Sequence, residues 1–265
     1  MAFEFHRNAS EYFRHQYEHA RQFIVPFIQE IKPVKDLQVL EIGCGEGGVL
    51  KAFLAEGCIC TGVDLSVEKI KAGSEWLQNE LNSGQLKFIS EDIYKVDTAK
   101  LFANKFDLII LKDTIEHIFN QPKIIEHLKL FLKPGGIIYY GFPAWCMPFG
   151  GHQQICHHPL LSKLPWIHLL PSPLYKIFLK IWGEPEACIK ELLEIQETGI
   201  STWRFEKVHQ KIGYEILERR LYFINPIYTW KFGLKPRVLP SILSWIPGLR
   251  DFFTTAAWYI VKPIS

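Results

Sequence analysis

A turn of glycines between an apolar run and a helical stretch constrains this chain more than any other feature. Leu37-Gln38-Val39-Leu40-Glu41-Ile42 reads as a strand, and Gly43-Cys44-Gly45-Glu46-Gly47-Gly48 follows it directly. A helix is expected over 47–56. Glycine tolerates positive φ and lets a ligand approach the main chain, and the helix start behind it offers unpaired N–H groups. Strand, turn and helix in this order belong to parallel βαβ architecture, which binds ligands beyond the carboxyl ends of its strands. Gly43, Gly45 and Gly48 also satisfy G-x-G-x-x-G, so the turn alone leaves open a dinucleotide, another nucleoside or a purely structural bend.

The alternation continues on both sides. Residues 10–31 carry Tyr12, Phe13, Tyr17, Ala20, Ile24 and Ile28 at helical spacing, with Pro26 a kink or an end. Further strands are expected at 59–64, 86–89, 106–111 and 136–141. Helices are expected at 66–82, capped by Ser66, and at 122–132. From 142 to about 199 the texture changes to proline, aromatics and histidine, with helices at 174–182 and 185–197. A helix at 202–212 and strands at 214–223 and 256–261 close the chain. Four segments result: a helical start (1–35), a ligand-binding half (36–143), a helical and aromatic insertion lying over the sheet (144–200), and a C-terminal helix with antiparallel strands that complete the sheet (201–265).

Composition removes several classes. The 265 residues suit one α/β domain with a sizeable insertion. With 48% hydrophobic and 22% charged residues, the chain can bury a full core. Formal net charge is +2, and Lys207, Lys211, Arg219, Arg220, Lys231, Lys235 and Arg237 are scattered rather than striped, which argues against nucleic acid as a partner. The longest nearly uncharged stretch, 134–162, is broken by glycines, prolines and histidines and makes a poor membrane span. Six cysteines form no C-x-x-C pair and the N-terminus lacks the order of a signal peptide, so reduced thiols in the cytoplasm are expected.

Acids at the strand ends narrow the ligand. Asp64 ends the second strand about 20 residues past the glycines, where a carboxylate can accept two hydrogen bonds from a ribose diol. A helix-capping aspartate is the plainer alternative. Glu41 stands just before the first glycine; it would repel a pyrophosphate but welcome a sulfonium carrying an ammonium group. Ser90-Glu91-Asp92-Ile93 closes the third strand with an acid and an apolar residue, suited to an adenine amino group and ring face.

In this order VLEIGCGEGGVL, GVDLS, SEDI, FDLIILKDTIEHI and LKPGGIIYYGFP resemble the successive motifs of class I methyltransferases that use S-adenosylmethionine, over roughly 39–143. The resemblance implies an α/β fold, a Rossmann-like doubly wound sheet of seven strands. The last strand is antiparallel and set beside 214–223, and the helical insertion follows the fifth strand. It implies that Glu41 and the backbone of Gly43, Cys44, Gly45 and Gly47 hold the methionine part of the cofactor. Asp64 would take the ribose, Asp92 the adenine amino group and Ile93 the adenine face. Leu65 counts among the cofactor contacts, and Lys112 or Asp113 would line the floor near the methyl.

Methyl transfer from a sulfonium is an in-line displacement in which alignment can supply ~7–11 kcal/mol of the barrier. A base is needed only where the acceptor must lose a proton. His152, His117 and Asp113 form the candidate catalytic set, because Asp113, Glu116 and His117 follow the fourth strand and His152, His157 and His158 follow the fifth. Histidine titrates near neutrality; ordinary loop hydrogen bonds are the plainer reading. Asp113-x-x-Glu116-His117 with a downstream histidine also resembles the ligand set of metal-dependent small-RNA methyltransferases and some ubiquinone-pathway O-methyltransferases. Here the first acid is aspartate rather than glutamate, and no metal is expected. Trp145, Phe149, Trp166, Tyr175, Phe178 and Trp182 read as the insertion's own core or as an apolar lid over the acceptor.

The expectation is therefore a methyltransferase acting on a small molecule and releasing S-adenosylhomocysteine, with oxygen favoured over nitrogen or carbon. The alternatives are a lipid-like or quinone-like acceptor at a membrane surface, an NAD(P)-dependent oxidoreductase, and a non-catalytic cofactor-binding module. No stable membrane insertion is expected, and the oligomeric state is not legible.

Overall fold

The computed structural model describes residues 8–96 and 105–264; residues 1–7 of the N-terminal segment and Ser265 of the C-terminal one lie outside the described residues. Five strands, β1 (Gln38–Ile42), β2 (Ile59–Asp64), β3 (Leu86–Ser90), β4 (Phe106–Lys112) and β5 (Leu132–Phe142), pair in parallel. With β6 (Tyr214–Ile224), β7 (Arg237–Val238) and β8 (Ala256–Pro263) they form one sheet in the order β3-β2-β1-β4-β5-β8-β6-β7. β8 runs antiparallel to both β5 and β6. The eight strands exceed the seven expected by β7, a two-residue edge pairing on β6 that is too short to leave a periodic signal.

Near-continuous apolar runs make this sheet because both of its faces are covered. Along β4, Leu108 and Ile110 enter one buried cluster while Ile109 and Leu111 enter the other. Trp258 and Ile260 of β8 likewise oppose Ala257, Tyr259 and Val261. The N-terminal helix fills the first cluster with Phe13, Ile24 and Phe27, and the Phe13 ring meets Trp76 edge-on at 5.1 Å. The helix Thr202–Ile212 fills the second with Phe205, which lies 4.4 Å from the Tyr259 ring.

Helix limits differ from expectation where side chains leave the periodic pattern. The first helix runs Ala9–His19, widens into a π-turn at Ala20–Ile24, and resumes over Val25–Gln29. The wider turn absorbs Pro26, which has no N–H to give, so the helix does not stop there. The stretch 66–82 breaks at Leu77, which is fully buried between helices Val67–Trp76 and Gln78–Asn82. Ser66 caps it as expected, accepting from the Lys69 N–H at 3.3 Å. Leu132-Lys133-Pro134-Gly135-Gly136 lies inside β5 rather than before it, in a register irregularity against Phe106 and Leu108.

The insertion leaves β5 and returns to the Thr202–Ile212 helix, its base closed by the Trp145 N–H donating to the Ile200 carbonyl at 3.0 Å. It has a small core of its own around Leu161, Tyr175, Leu179, Ile189 and Leu192, within helices Ser172–Ile181 and Glu186–Thr198 and the turns before them. Residues 225–255 hold three short helices and the two-residue β7. Because that connection never crosses to the opposite edge, β8 starts where β6 ends and has to run the other way.

Candidate active site

Parallel β1 to β5 place every residue that follows a strand on one edge of the sheet. At β1 the main chain turns through Gly43 and Gly45, with φ of 74° and 53°. A Cβ on Gly43 would come within 2.6 Å of the Thr114 hydroxyl, so the position excludes side chains on two grounds. Thr114 had no signal in the sequence; it packs on the turn and donates toward the Ile42 and Lys112 carbonyls. Cys44 turns its sulfur inward against Gly62, which leaves only its backbone toward the crevice.

Asp64 bonds the glycine turn itself. One carboxylate oxygen accepts the Gly45 N–H and the other the Ser66 N–H, both at 2.8 Å. Ser66, not Asp64, caps the helix that follows. A carboxylate offers about four lone-pair sites, so two remain for a ligand's hydroxyls. Next to it, Leu65 is 77% exposed, an apolar side chain standing in solvent at the lip of the crevice. At β3, Asp92 accepts the Tyr94 N–H at 3.0 Å, and Ile93 gives most of its surface to the second core cluster.

Glu41 is only 2% exposed, and its Oε2 has no hydrogen-bond partner. Burial pushes its pKa well above the ordinary carboxylate range; Lys112 opposes that, while Asp64 and Asp113 reinforce it. Glu41 therefore leaves one buried oxygen at the tip of β1 open to a ligand group. Lys112 and Asp113 form an ion pair at the end of β4. Burial alone would raise the Asp113 carboxyl, but the adjacent ammonium outweighs it and holds it below its usual value. Burial would lower Lys112, yet Asp113 and Tyr12 keep it raised. Asp113 sits at φ 51°, a left-handed conformation held by its N–H donating to the Gly141 carbonyl at 2.7 Å.

Beside this crevice lies a cavity of about 490 Å³. Asp113, Glu116 and His117 after β4 form one wall, and Pro143, Met147, Phe149, His152 and Ile155 after β5 form the next. Tyr12 and Gln16 of the N-terminal helix and Asn225, Tyr228, Lys231 and Thr255 close the rest. Of the two residues expected at the floor, Asp113 faces this cavity; Lys112 lines a small adjoining space of about 20 Å³ with His19 and Trp258. His157 and His158 do not line it: their backbone N–H groups bind Glu184 within the insertion. Lys231, read from sequence as one of several scattered cations, lines the cavity, and burial lowers its pKa to about 8. Tyr12, read as a core position, also faces it.

The rings of His117 and His152 meet at 5.1 Å. His152 does not titrate near neutrality: burial first, then the charge of His117, lowers it to about 4. Burial lowers His117 too. Glu116 is 5% exposed with both carboxylate oxygens unpartnered, and burial and Asp113 raise it well above its ordinary value. One ligand-type atom from each of Glu116, His117 and His152 lies within 4.8 Å of the others, so this trio, rather than one including Asp113, could hold a divalent cation.

Residues 11–147 match the family described as Methyltransferase domain. The Ubiquinone biosynthesis O-methyltransferase of Histophilus somni is 28% identical over 133 residues, covering 48% of this chain and 56% of that protein. The chain spans about half the length of the curated relatives it matches. Among solved structures, the PKMT2 protein of Rickettsia typhi in complex with AdoHcy aligns with a TM-score of 0.53 at 17% identity, over 92% of this chain and 53% of that one. An S-adenosylmethionine-dependent methyltransferase of Clostridium acetobutylicum aligns with a TM-score of 0.56 at 12% identity, over 94% and 92%.

Proposed function

The chain belongs to the class I S-adenosylmethionine-dependent methyltransferases, and from that premise we propose that it methylates an oxygen of a small aromatic, quinone-like acceptor. The carrying observation is the cavity of about 490 Å³ that opens at the strand ends between Asp113 and His152, roomy enough for one substituted ring. Curated relatives named for O-methylation in ubiquinone biosynthesis support an oxygen of a quinone-like molecule as the acceptor.

When bound, the cofactor supplies an activated methyl group on a cationic sulfur. The residues at the ends of β1 to β4 fit it. Glu41 offers an unpartnered buried carboxylate to the positive methionine end, alongside the backbone of Gly43, Cys44, Gly45 and Gly47. Asp64 would give its two remaining acceptor sites to the ribose hydroxyls. Leu65 and Ile93 would meet the adenine, and Asp92 would accept from its amino group. The Lys112–Asp113 pair borders the methyl end. On the acceptor side, neutral His152 and His117 hold the hydroxyl in line by hydrogen bonds, and Asp113 orients it from below. Lys231 takes the proton: it lines the cavity, and burial lowers its pKa to about 8. The chain's six cysteines are all free among the described residues, which suits a reducing cytoplasm.

Two further readings have observations behind them. The Glu116, His117 and His152 trio with its unpartnered carboxylate favours a divalent cation that would steer the acceptor oxygen. No helix among the described residues is long and apolar enough to cross a membrane. Even so, the Ser172–Ile181 helix shows Leu174, Ile177 and Ile181 to solvent, as does Trp245 nearer the C-terminus, which favours collection of the acceptor from a membrane surface. The test is turnover of S-adenosylmethionine with catechol-type aromatics, with and without an apolar tail, and with amines of the same size. S-adenosylhomocysteine should form with the hydroxyl compounds and fastest with the tailed ones. Turnover with the amines alone would overturn the oxygen assignment, and binding without turnover would reduce the chain to a cofactor-binding module.

A further inference from the structure

Within the insertion, Cys156, Glu184 and Cys188 come together from three segments: the loop after the turn Gln153–Ile155, the link between helices Ser172–Ile181 and Glu186–Thr198, and the first turn of the second helix. One ligand-type atom from each, two sulfurs and a carboxylate oxygen, lies within 4.8 Å of the other two. All three side chains are buried, and none lines the acceptor cavity. The Glu184 oxygens accept the His157 and His158 N–H groups at 3.0 and 2.9 Å, and each keeps a further lone pair. Tyr175, in the same buried cluster, is fully enclosed with no partner for its hydroxyl. An unpaired hydroxyl beside two thiols and a carboxylate, all out of water, is an arrangement an apolar core avoids.

We propose that this cluster is a structural site for a zinc-class divalent cation, held by the Cys156 and Cys188 thiolates and the Glu184 carboxylate, with Tyr175 or a water as fourth donor. Bonds of ~2.3 Å to sulfur and ~2.0–2.2 Å to oxygen set tetrahedral donors roughly 3.3–3.8 Å apart. Donors already inside 4.8 Å need to contract by about 1 Å, within reach of side-chain rotation. Binding displaces the two thiol protons to solvent, and no electrons move. The ion joins the Glu186–Thr198 helix to the loop that carries His152 and Ile155 into the cavity wall, so it fixes the lid that the small core around Tyr175 supports alone without it. No C-x-x-C spacing announces the site because its ligands come from three separate turns of the chain.

Reduced, metal-stripped protein titrated with Co²⁺ under anaerobic conditions tests this directly. One equivalent should produce a thiolate-to-cobalt charge-transfer band together with the intense visible bands of four-coordinate cobalt, and Zn²⁺ should bleach both. The histidine-carboxylate trio in the cavity has no sulfur and cannot give the charge-transfer band. Cys188→Ser and Cys156→Ser should weaken binding at least tenfold, whereas Cys146→Ser, outside the cluster, should leave it unchanged. Zn²⁺ should also raise the melting temperature of the unsubstituted protein. The absence of the charge-transfer band, or its persistence in Cys188→Ser, overturns the proposal. So does a thiol count two short of the six cysteines in freshly purified, unfolded protein, which would mean that Cys156 and Cys188 form a disulfide instead.

Discussion

The crevice at β1 to β3 and the cavity beside it share one edge of the sheet but are built in opposite ways. The crevice is a property of contiguous sequence: strand, glycines, helix and an acid on the next strand, with Asp64 bonding back to Gly45 across a single crossover. The cavity draws its walls from the N-terminal helix, the ends of β4, β5 and β6, and the return to β8. Burial displaces the pKa values of Glu116, His117, His152 and Lys231, and the Lys112 charge displaces that of Asp113. A motif-encoded site is held by backbone geometry, so it changes little when neighbouring segments vary. A site assembled from five segments spread along the chain can change its ligand by changing any one of them, and the same cofactor half can then serve different acceptors.

Substitutions in the crevice and in the cavity should separate cofactor binding from turnover. The largest expected effect is His152→Ala, which should lower turnover by about 100-fold, the cost of a misaligned acceptor hydroxyl, while cofactor affinity changes little. Equal rates in variant and parent would remove His152 from the chemistry. Asp64→Ala should weaken S-adenosylhomocysteine binding by at least about tenfold, since a hydrogen bond to a charged group contributes ~1.5–3 kcal/mol. Because the carboxylate also ties Gly45 and Ser66, this variant should melt at a lower temperature as well. Titration calorimetry and a melting curve together check it; unchanged affinity removes the ribose assignment.

Smaller effects concern pH. The turnover of the parent should rise with pH through about 8 as Lys231 loses its proton, and Lys231→Met should flatten that limb of the profile several-fold. A profile that keeps its shape in Lys231→Met excludes Lys231 as the base. Smallest is a stability term shared by both regions. Glu41 and Glu116 hold their protons above the ordinary range when folded, whereas in the unfolded chain they ionise near ~4.3. The folded state therefore binds more protons, and stability falls as pH rises above about 4.3. Glu41→Gln and Glu116→Gln should each make the melting temperature of ligand-free protein less sensitive to pH above about 4.3. If both variants keep the parent's slope, the two carboxyls are ionised in the folded protein.

What could be read beforehand follows the same division. The parallel strands, the glycine turn, the Ser66 cap and the antiparallel place of β8 were legible because periodicity and turn chemistry are local. Pro26 misled only slightly, because a π-turn can absorb what an α-helix cannot. β7 and the short helices between β6 and β8 left no periodic trace. His152 was legible as a position but not as a base: its titration depends on burial and on His117, neither of which the spacing of GGHQQICHHP reveals. Thr114 and Tyr12 came into the site unannounced, and Lys231 was read only as a scattered cation.

The sequence alone determined the cofactor half, since a strand-glycine-helix turn with an acid one strand away specifies its own geometry through backbone angles and hydrogen bonds between near neighbours. Tertiary structure alone decided the acceptor side: which of ten histidines meet, which carboxyls lose their water, and which lysine faces the cavity. Those outcomes are set by desolvation and by charges far apart in the chain, and burial is a property of the folded whole.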